Sequence, residues 1–159
     1  MDQPVTPANQ SPLEKDFHHM VELSRTLPPP SLEQRLDQLA RLRSLIADNE
    51  SRFAEAISAD FGHRATAETV FAEVLFLQGE IRHTRQHLKR WMAPQRIPTQ
   101  RQFFPATNRL LPQPLGVVGI IAPWNYPLQL TLAPAIGALA AGNRVMIKPS
   151  ELAPRFAAL

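Results

Sequence analysis

The chain has 159 residues, 44% of them apolar, a formal charge of +3 and no cysteine. That length suits one domain, and the apolar share is ordinary for a globular protein and too high for a disordered one. The absence of cysteine excludes a disulfide framework. No apolar run is long enough to span a bilayer, and the polar start M-D-Q-P-V-T-P-A-N-Q is not a signal peptide, so the expectation is a cytoplasmic protein without a membrane partner.

Residues 1–10 are expected to form a disordered tail, and residues 11–95 a helical lead-in. Ser11-Pro12-Leu13-Glu14 reads as a helix start: a hydroxyl cap, proline at the first helical position, and a carboxylate placed to close a capping box. Leu13, Phe17, Met20 and Leu27 follow at helical spacing until Pro28, Pro29 and Pro30 break the pattern. Ser31, with Gln34 as its return partner, caps a second helix whose stripe of Leu32, Leu36, Leu39, Leu42, Ile46, Phe53 and Ile57 runs to Phe61-Gly62. Thr66 is expected to cap a third helix, with Glu68 in its first turn. Its stripe takes in Val70, Val74, Leu77, Ile81, Leu88 and Trp91, widened by Phe71 and Leu75, and Pro94 ends it. Three amphipathic helices must bury their stripes on each other or on a sheet.

Residues 96–113 lose the helical period and carry prolines suited to extended, edge-like segments. No Asp or Glu occurs from Ile81 through Ser150, while nine Lys and Arg residues do. A nucleic-acid footprint would use such a stretch, but the charges are dispersed over different elements with little aromatic interleaving, so no nucleic-acid partner is expected. His83 and His87 lie one helical turn apart; with no third ligand evident, they read as a solvated face and no metal is expected.

From Pro114 to Glu151 the pattern becomes strand, turn, helix, strand. Val117, Val118, Ile120 and Ile121 form a short β-branched run suited to a strand buried on both faces. Leu128 to Leu139 are helix formers with Gly142 at the C-terminal cap position, and Asn143 to Ile147 make a second strand. This is a βαβ unit. The fold class expected is therefore α/β: amphipathic helices leading into the first βαβ unit of a Rossmann-like parallel sheet, over residues 114–159 and incomplete at the C-terminus. The usual G-x-G-x-x-G is missing, because the strand-to-helix turn reads Ala122-Pro123-Trp124-Asn125-Tyr126-Pro127. A ligand at this strand end has to be held in some other way.

The run P-L-G-V-V-G-I-I-A-P-W-N-Y-P, followed by A-A-G-N-R-V-M-I-K-P-S-E, resembles the aldehyde dehydrogenase superfamily, and within it the coniferyl aldehyde and fatty-aldehyde branch. The resemblance covers only the N-terminal part of such an enzyme. It implies an oxidoreductase that converts an aldehyde to an acid with NAD or NADP. By resemblance Asn125 donates its side-chain amide to the oxyanion of a thiohemiacetal; taken alone, Asn125 reads as a cap of the helix that starts near Tyr126. By resemblance Lys148 and Glu151 contact the adenosine ribose, where a surface ion pair is the plain alternative. Ile121, Ala122, Pro123 and Trp124 match the segment lining the cofactor cleft, or else are core packing. A carboxylate at the ribose repels a 2′-phosphate, which favours NAD. The resemblance further implies that residues 96–113 join a bridging sheet used in subunit assembly and that the whole protein is a homo-oligomer, a dimer. The nucleophile of the family is a cysteine, so the 159-residue chain alone is expected to be inactive. The alternative is a non-catalytic helical interaction module.

Overall fold

The structure, a computed structural model, describes residues 11–159, and the tail expected over residues 1–10 lies outside them. Both expected capping boxes form. The Ser11 hydroxyl accepts from the Glu14 amide at 3.3 Å and the Glu14 carboxylate accepts from the Ser11 amide at 2.8 Å, opening α1 (Pro12–Thr26). Ser31 and Gln34 do the same for α2 (Leu32–Asp48) at 3.2 and 2.8 Å.

Three expectations about the helices need correction. The second helix does not run unbroken to Phe61: it divides at Asn49 into α2 and α3 (Glu50–Phe61). The Asn49 side chain donates to the Leu45 carbonyl at 2.9 Å, the acceptor that a continuing helix would have bonded from the backbone. Thr66 is not a cap but the first residue of α4 (Thr66–Thr69), because extended Ala65 takes the cap position without a side-chain bond. The third helix is not continuous either. Between α4 and α5 (Leu75–Met92) lies a π-helical turn, Val70–Val74, which holds one residue more per turn than the α pattern. That extra residue rotates the two ends against each other, so Phe71 and Leu75 face outward at 77% and 55% exposure instead of widening the stripe. Trp91 is likewise exposed, whereas Val74, Leu77, Ile81 and Leu88 are buried.

The core is assembled from Leu39 and Ile46 of α2, Phe53 and Ile57 of α3, Leu77, Ile81 and Leu88 of α5, and Leu128 and Ile136 of α6 (Pro127–Ala140). Burying each such side chain is worth about 1.5–3 kcal/mol. No residue of α1 is buried: the helix lies against the sheet with Leu13, Phe17 and Leu27 exposed, so its stripe stays largely uncovered among the described residues.

Strands β1 (Gln95–Ile97) and β2 (Asn108–Leu110) pair antiparallel and are exposed, with a 3-10 turn, Arg101–Phe103, in the connection between them. Strands β3 (Val117–Ile121) and β4 (Arg144–Lys148) pair in parallel, with α6 between them in sequence and Ile121 opposite Lys148. Ile121 is 82% exposed and Ile147 is 42% exposed, so the sheet is not buried on both faces among the described residues. The second strand starts one residue later than expected. Buried Asn143 instead ties the turn, its side chain accepting from the Gly116 amide at 2.9 Å and donating to the Ala138 carbonyl at 3.2 Å. A short helix, α7 (Pro154–Ala157), inserts Phe156 against Phe53. No helix among the described residues is long and apolar enough to cross a membrane.

Candidate functional site

The register of β3 and β4 brings two segments to one sheet edge: residues 121–127 beyond β3, and residues 148–151 beyond β4. The Ala122 amide donates to the Lys148 carbonyl at 3.0 Å, extending the ladder by one step before the chain turns away. Ala122 is buried, and Pro123 and Asn125 are exposed. Trp124 packs on Phe61 with ring centroids 5.9 Å apart.

Proline at the first position of α6 has no N–H, so the amides left without an intrahelical acceptor are those of Leu128 and Gln129. In many helices a cap side chain meets them. Here Tyr126 is the cap residue and its side chain makes no capping bond. Both amides donate instead to the Glu73 carboxylate, at 2.8 and 2.9 Å, across 55 and 56 residues of sequence. The first intrahelical bond follows, from the Leu130 amide to the Tyr126 carbonyl at 2.9 Å. The alternative role weighed for Asn125, as cap of this helix, is thus taken by another residue.

Glu73 sits in the π-helical turn and is fully buried. Facing it at 3.3 Å is the Arg64 guanidinium, whose side chain is 5% exposed and which also lies 3.4 Å from Glu68. Arg64 donates to the Asn125 carbonyl at 2.9 Å and rests 4.6 Å from the Tyr126 ring centroid and 5.2 Å from that of Phe61. Sequence reasoning named neither residue. The signal present was a carboxylate at helical spacing within an apolar stripe, three residues after Val70 and four before Leu77.

Burial pushes the Glu73 carboxyl above its ordinary value, against the amide bond from Gln129, the Arg64 charge and the amide bond from Leu128, while Glu68 adds to the rise. A carboxyl raised on folding contributes stability that is full below its unfolded value, about 4.3, and is lost as pH rises through the folded value. The substitution Glu73→Gln therefore weakens the fall in stability as pH rises above the ordinary carboxylate range. Urea unfolding midpoints above that range check this, and an unchanged slope would place the titration elsewhere.

Lys148 and Glu151 bond each other at the sheet edge, both exposed, and this bond holds the Glu151 carboxyl below its ordinary value. The ion pair exists, and it leaves both side chains open to solvent. Ser150 is buried and its hydroxyl accepts from the Leu152 amide at 3.2 Å. A groove of about 470 Å³ runs between α1 and the sheet, lined by Asp16, His19 and Met20 on one side and by Ile121, Ile147 and Lys148 on the other. Its walls are mainly apolar, with the charged side chains of Asp16 and Lys148 among them. The His83 and His87 rings lie 4.2 Å apart and tilted, His87 stacks on Trp91 at 5.7 Å, and the His87 Nδ1 lies against the His83 carbonyl at 2.8 Å. That is a ring ladder on a helix face. Among the described residues, no group of three or more His, Asp or Glu side chains is placed to hold an ion.

The model of the aldehyde dehydrogenase family matches residues 6–159. Over 132 residues the chain is 42% identical to a coniferyl aldehyde dehydrogenase of Pseudomonas sp., covering 82% of this chain and 27% of that protein. Over 130 residues it is 45% identical to a 4,4'-diapolycopene-4,4'-dial dehydrogenase of Cytobacillus firmus, covering 82% of this chain and 28% of that protein. The solved substrate-bound state of Staphylococcus aureus AldH superposes with a TM-score of 0.86 at 34% identity, covering 92% of this chain and 32% of the other. The chain thus spans about a quarter of the length of the curated relatives it matches.

Proposed function

The chain belongs to the aldehyde dehydrogenase family, and on that footing we propose that it forms the amino-terminal part of an NAD(P)-dependent enzyme that oxidises an aldehyde to a carboxylic acid. Residues 11–95 are the helical lead-in, 96–113 a bridging segment for assembly into a dimer, and 114–159 the start of a Rossmann-like cofactor domain. The substrate class is an aromatic or aliphatic aldehyde of the coniferyl aldehyde kind, after the relatives' names.

The observation that carries this reading is the turn after β3. Its helix has its free amides satisfied by Glu73, which leaves the exposed Asn125 amide unused at the helix's positive end. A cysteine thiolate from outside these residues attacks the aldehyde carbon, and negative charge gathers on the former carbonyl oxygen. The Asn125 amide N–H donates to that oxygen and lowers the barrier. The exposed side chains of Lys148 and Glu151, one ammonium and one carboxylate at a sheet edge, fit a ribose with its hydroxyl donors and acceptors. Bound there, a nicotinamide cofactor supplies the hydride acceptor. Ile121, Ala122, Pro123 and Trp124 form the adjoining wall. The chain's own 159 residues hold no cysteine and are inactive alone.

The test is to assay the full-length protein with coniferyl aldehyde and with either cofactor, following reduced nicotinamide. Turnover with NAD exceeding that with NADP is expected; no aldehyde-dependent reduction of either would end the proposal. Glu151→Gln removes the charge that repels a 2′-phosphate and shifts the NAD to NADP preference toward NADP by about fivefold, the scale of one exposed charge pair. The ratio of kcat/KM values for the two cofactors reads it.

A further inference from the structure

Two buried charges grip the backbone around Asn125, and the chemistry proposed above uses neither. Glu73 accepts from the amides of Leu128 and Gln129 at 2.8 and 2.9 Å, and Arg64 donates to the carbonyl of Asn125 at 2.9 Å. The side chains are 0% and 5% exposed, and their closest approach to each other, 3.3 Å, is an ion pair without a hydrogen bond. Removing such a pair from water is costly, and well-packed apolar side chains of the same volume often serve stability as well or better. Apolar side chains, however, cannot bond a carbonyl and two amides. All three of those bonds fall on one turn, residues 125–129.

The rotations that aim the Asn125 side chain are set by that turn. Fixing its carbonyl fixes the peptide plane between Asn125 and Tyr126, and fixing the amides of Leu128 and Gln129 fixes the start of α6. Phe61 and Tyr126, flanking the guanidinium, limit where Arg64 can move. We propose that Glu73 and Arg64 are positioning residues that hold the backbone of Asn125 so that its side-chain amide meets the developing oxyanion. This rests on the reading of Asn125 as the oxyanion donor. A misplacement of about 1 Å in such a donor costs on the order of a hundredfold in rate. The π-helical turn belongs to the device, since it places Glu73 on the inner side of the helix while Phe71 and Leu75 face out.

The experiment is a set of double-mutant cycles in the full-length protein: Glu73→Ala and Arg64→Lys, each alone and combined with Asn125→Ala. Each single substitution is expected to lower kcat about tenfold to a hundredfold, with KM for the cofactor unchanged within about twofold. In the Asn125→Ala background the same substitutions are expected to cost less than about threefold. Equal fold-losses in both backgrounds would overturn the proposal, because the two residues would then act on something other than Asn125. Full activity of Asn125→Ala alone would overturn the oxyanion reading and the positioning role together, and the single variant already shows it. Lysine keeps a charge for Glu73 but lacks the planar fork that reaches the Asn125 carbonyl, so Arg64→Lys carries the cycle if Glu73→Ala does not fold. Hydrogen exchange at the Leu128 and Gln129 amides gives a readout apart from activity: faster exchange in a Glu73 variant is expected, and unchanged exchange overturns the proposal.

Discussion

In the full-length protein Asn125→Ala is expected to lower kcat by about 10²–10³, some 3–4 kcal/mol of barrier, with KM for the aldehyde little changed. The pattern follows from when the contact matters. A neutral aldehyde oxygen gains little from one amide donor, whereas the oxyanion of the intermediate gains much, so the loss appears in the rate and not in binding. Asn125→Asp separates the two roles weighed for this residue. Aspartate caps helices as well as asparagine does, so a capping residue would survive the change. An oxyanion donor would not, since a carboxylate offers an acceptor and a like charge where a donor is needed. Steady-state kinetics on the two variants, with thermal unfolding as the control for folding, decide it. An active Asn125→Asp enzyme would end the oxyanion role of this residue.

Gly142→Ala costs about 2–4 kcal/mol of stability. Gly142 has φ +88, a backbone state that carries a penalty of roughly 1–2 kcal/mol for a residue with a Cβ. The space is occupied as well: an added Cβ would lie 2.7 Å from Cζ and Nη2 of Arg35. A flexible side chain could give way, but this one is pinned. Arg35 is buried, donating to the Pro30 carbonyl at 2.8 Å and to the Ala140 carbonyl at 3.0 Å. It thereby joins the end of the triple-proline linker to the end of α6. Moving it weakens charge-assisted bonds worth about 1.5–3 kcal/mol each in favourable settings. Denaturant midpoints of the two proteins check the figure. A loss below about 0.5 kcal/mol, the scale of a neutral surface change, would mean that the guanidinium is free to swing aside.

Local grammar made much of this architecture readable. Ser11 with Glu14 and Ser31 with Gln34 are three residues apart, so each cap needs nothing beyond its own turn. The β3–α6–β4 order was legible because β-branched runs, a run of helix formers and a glycine at a positive φ each act locally. The break at Asn49 was not, since an asparagine inside a good stripe bonds outward or backward depending on its surroundings. The site divided in the same way. Asn125, Lys148 and Glu151 stand in motifs, so the resemblance proposed them. Arg64 and Glu73 take their meaning from partners 55 to 61 residues away, and helical spacing by itself placed the Val70–Val74 region on an ordinary α-helix.

That wide turn has a consequence for insertions. An insertion of one residue between Val70 and Val74 would look harmless by length and by helix propensity, since the helix would simply lengthen. It would also turn α4 by about 100° relative to α5, the rotation of one residue in an α-helix, because the wide turn already absorbs one residue more than an α-helical turn holds. With Leu77 and Ile81 still locked in the core, the segment bearing Arg64 would swing off Tyr126 and the carbonyl of Asn125. The chain's phase, counted from Gly62 to Leu77, therefore matters as much there as the identity of the residues that fill it.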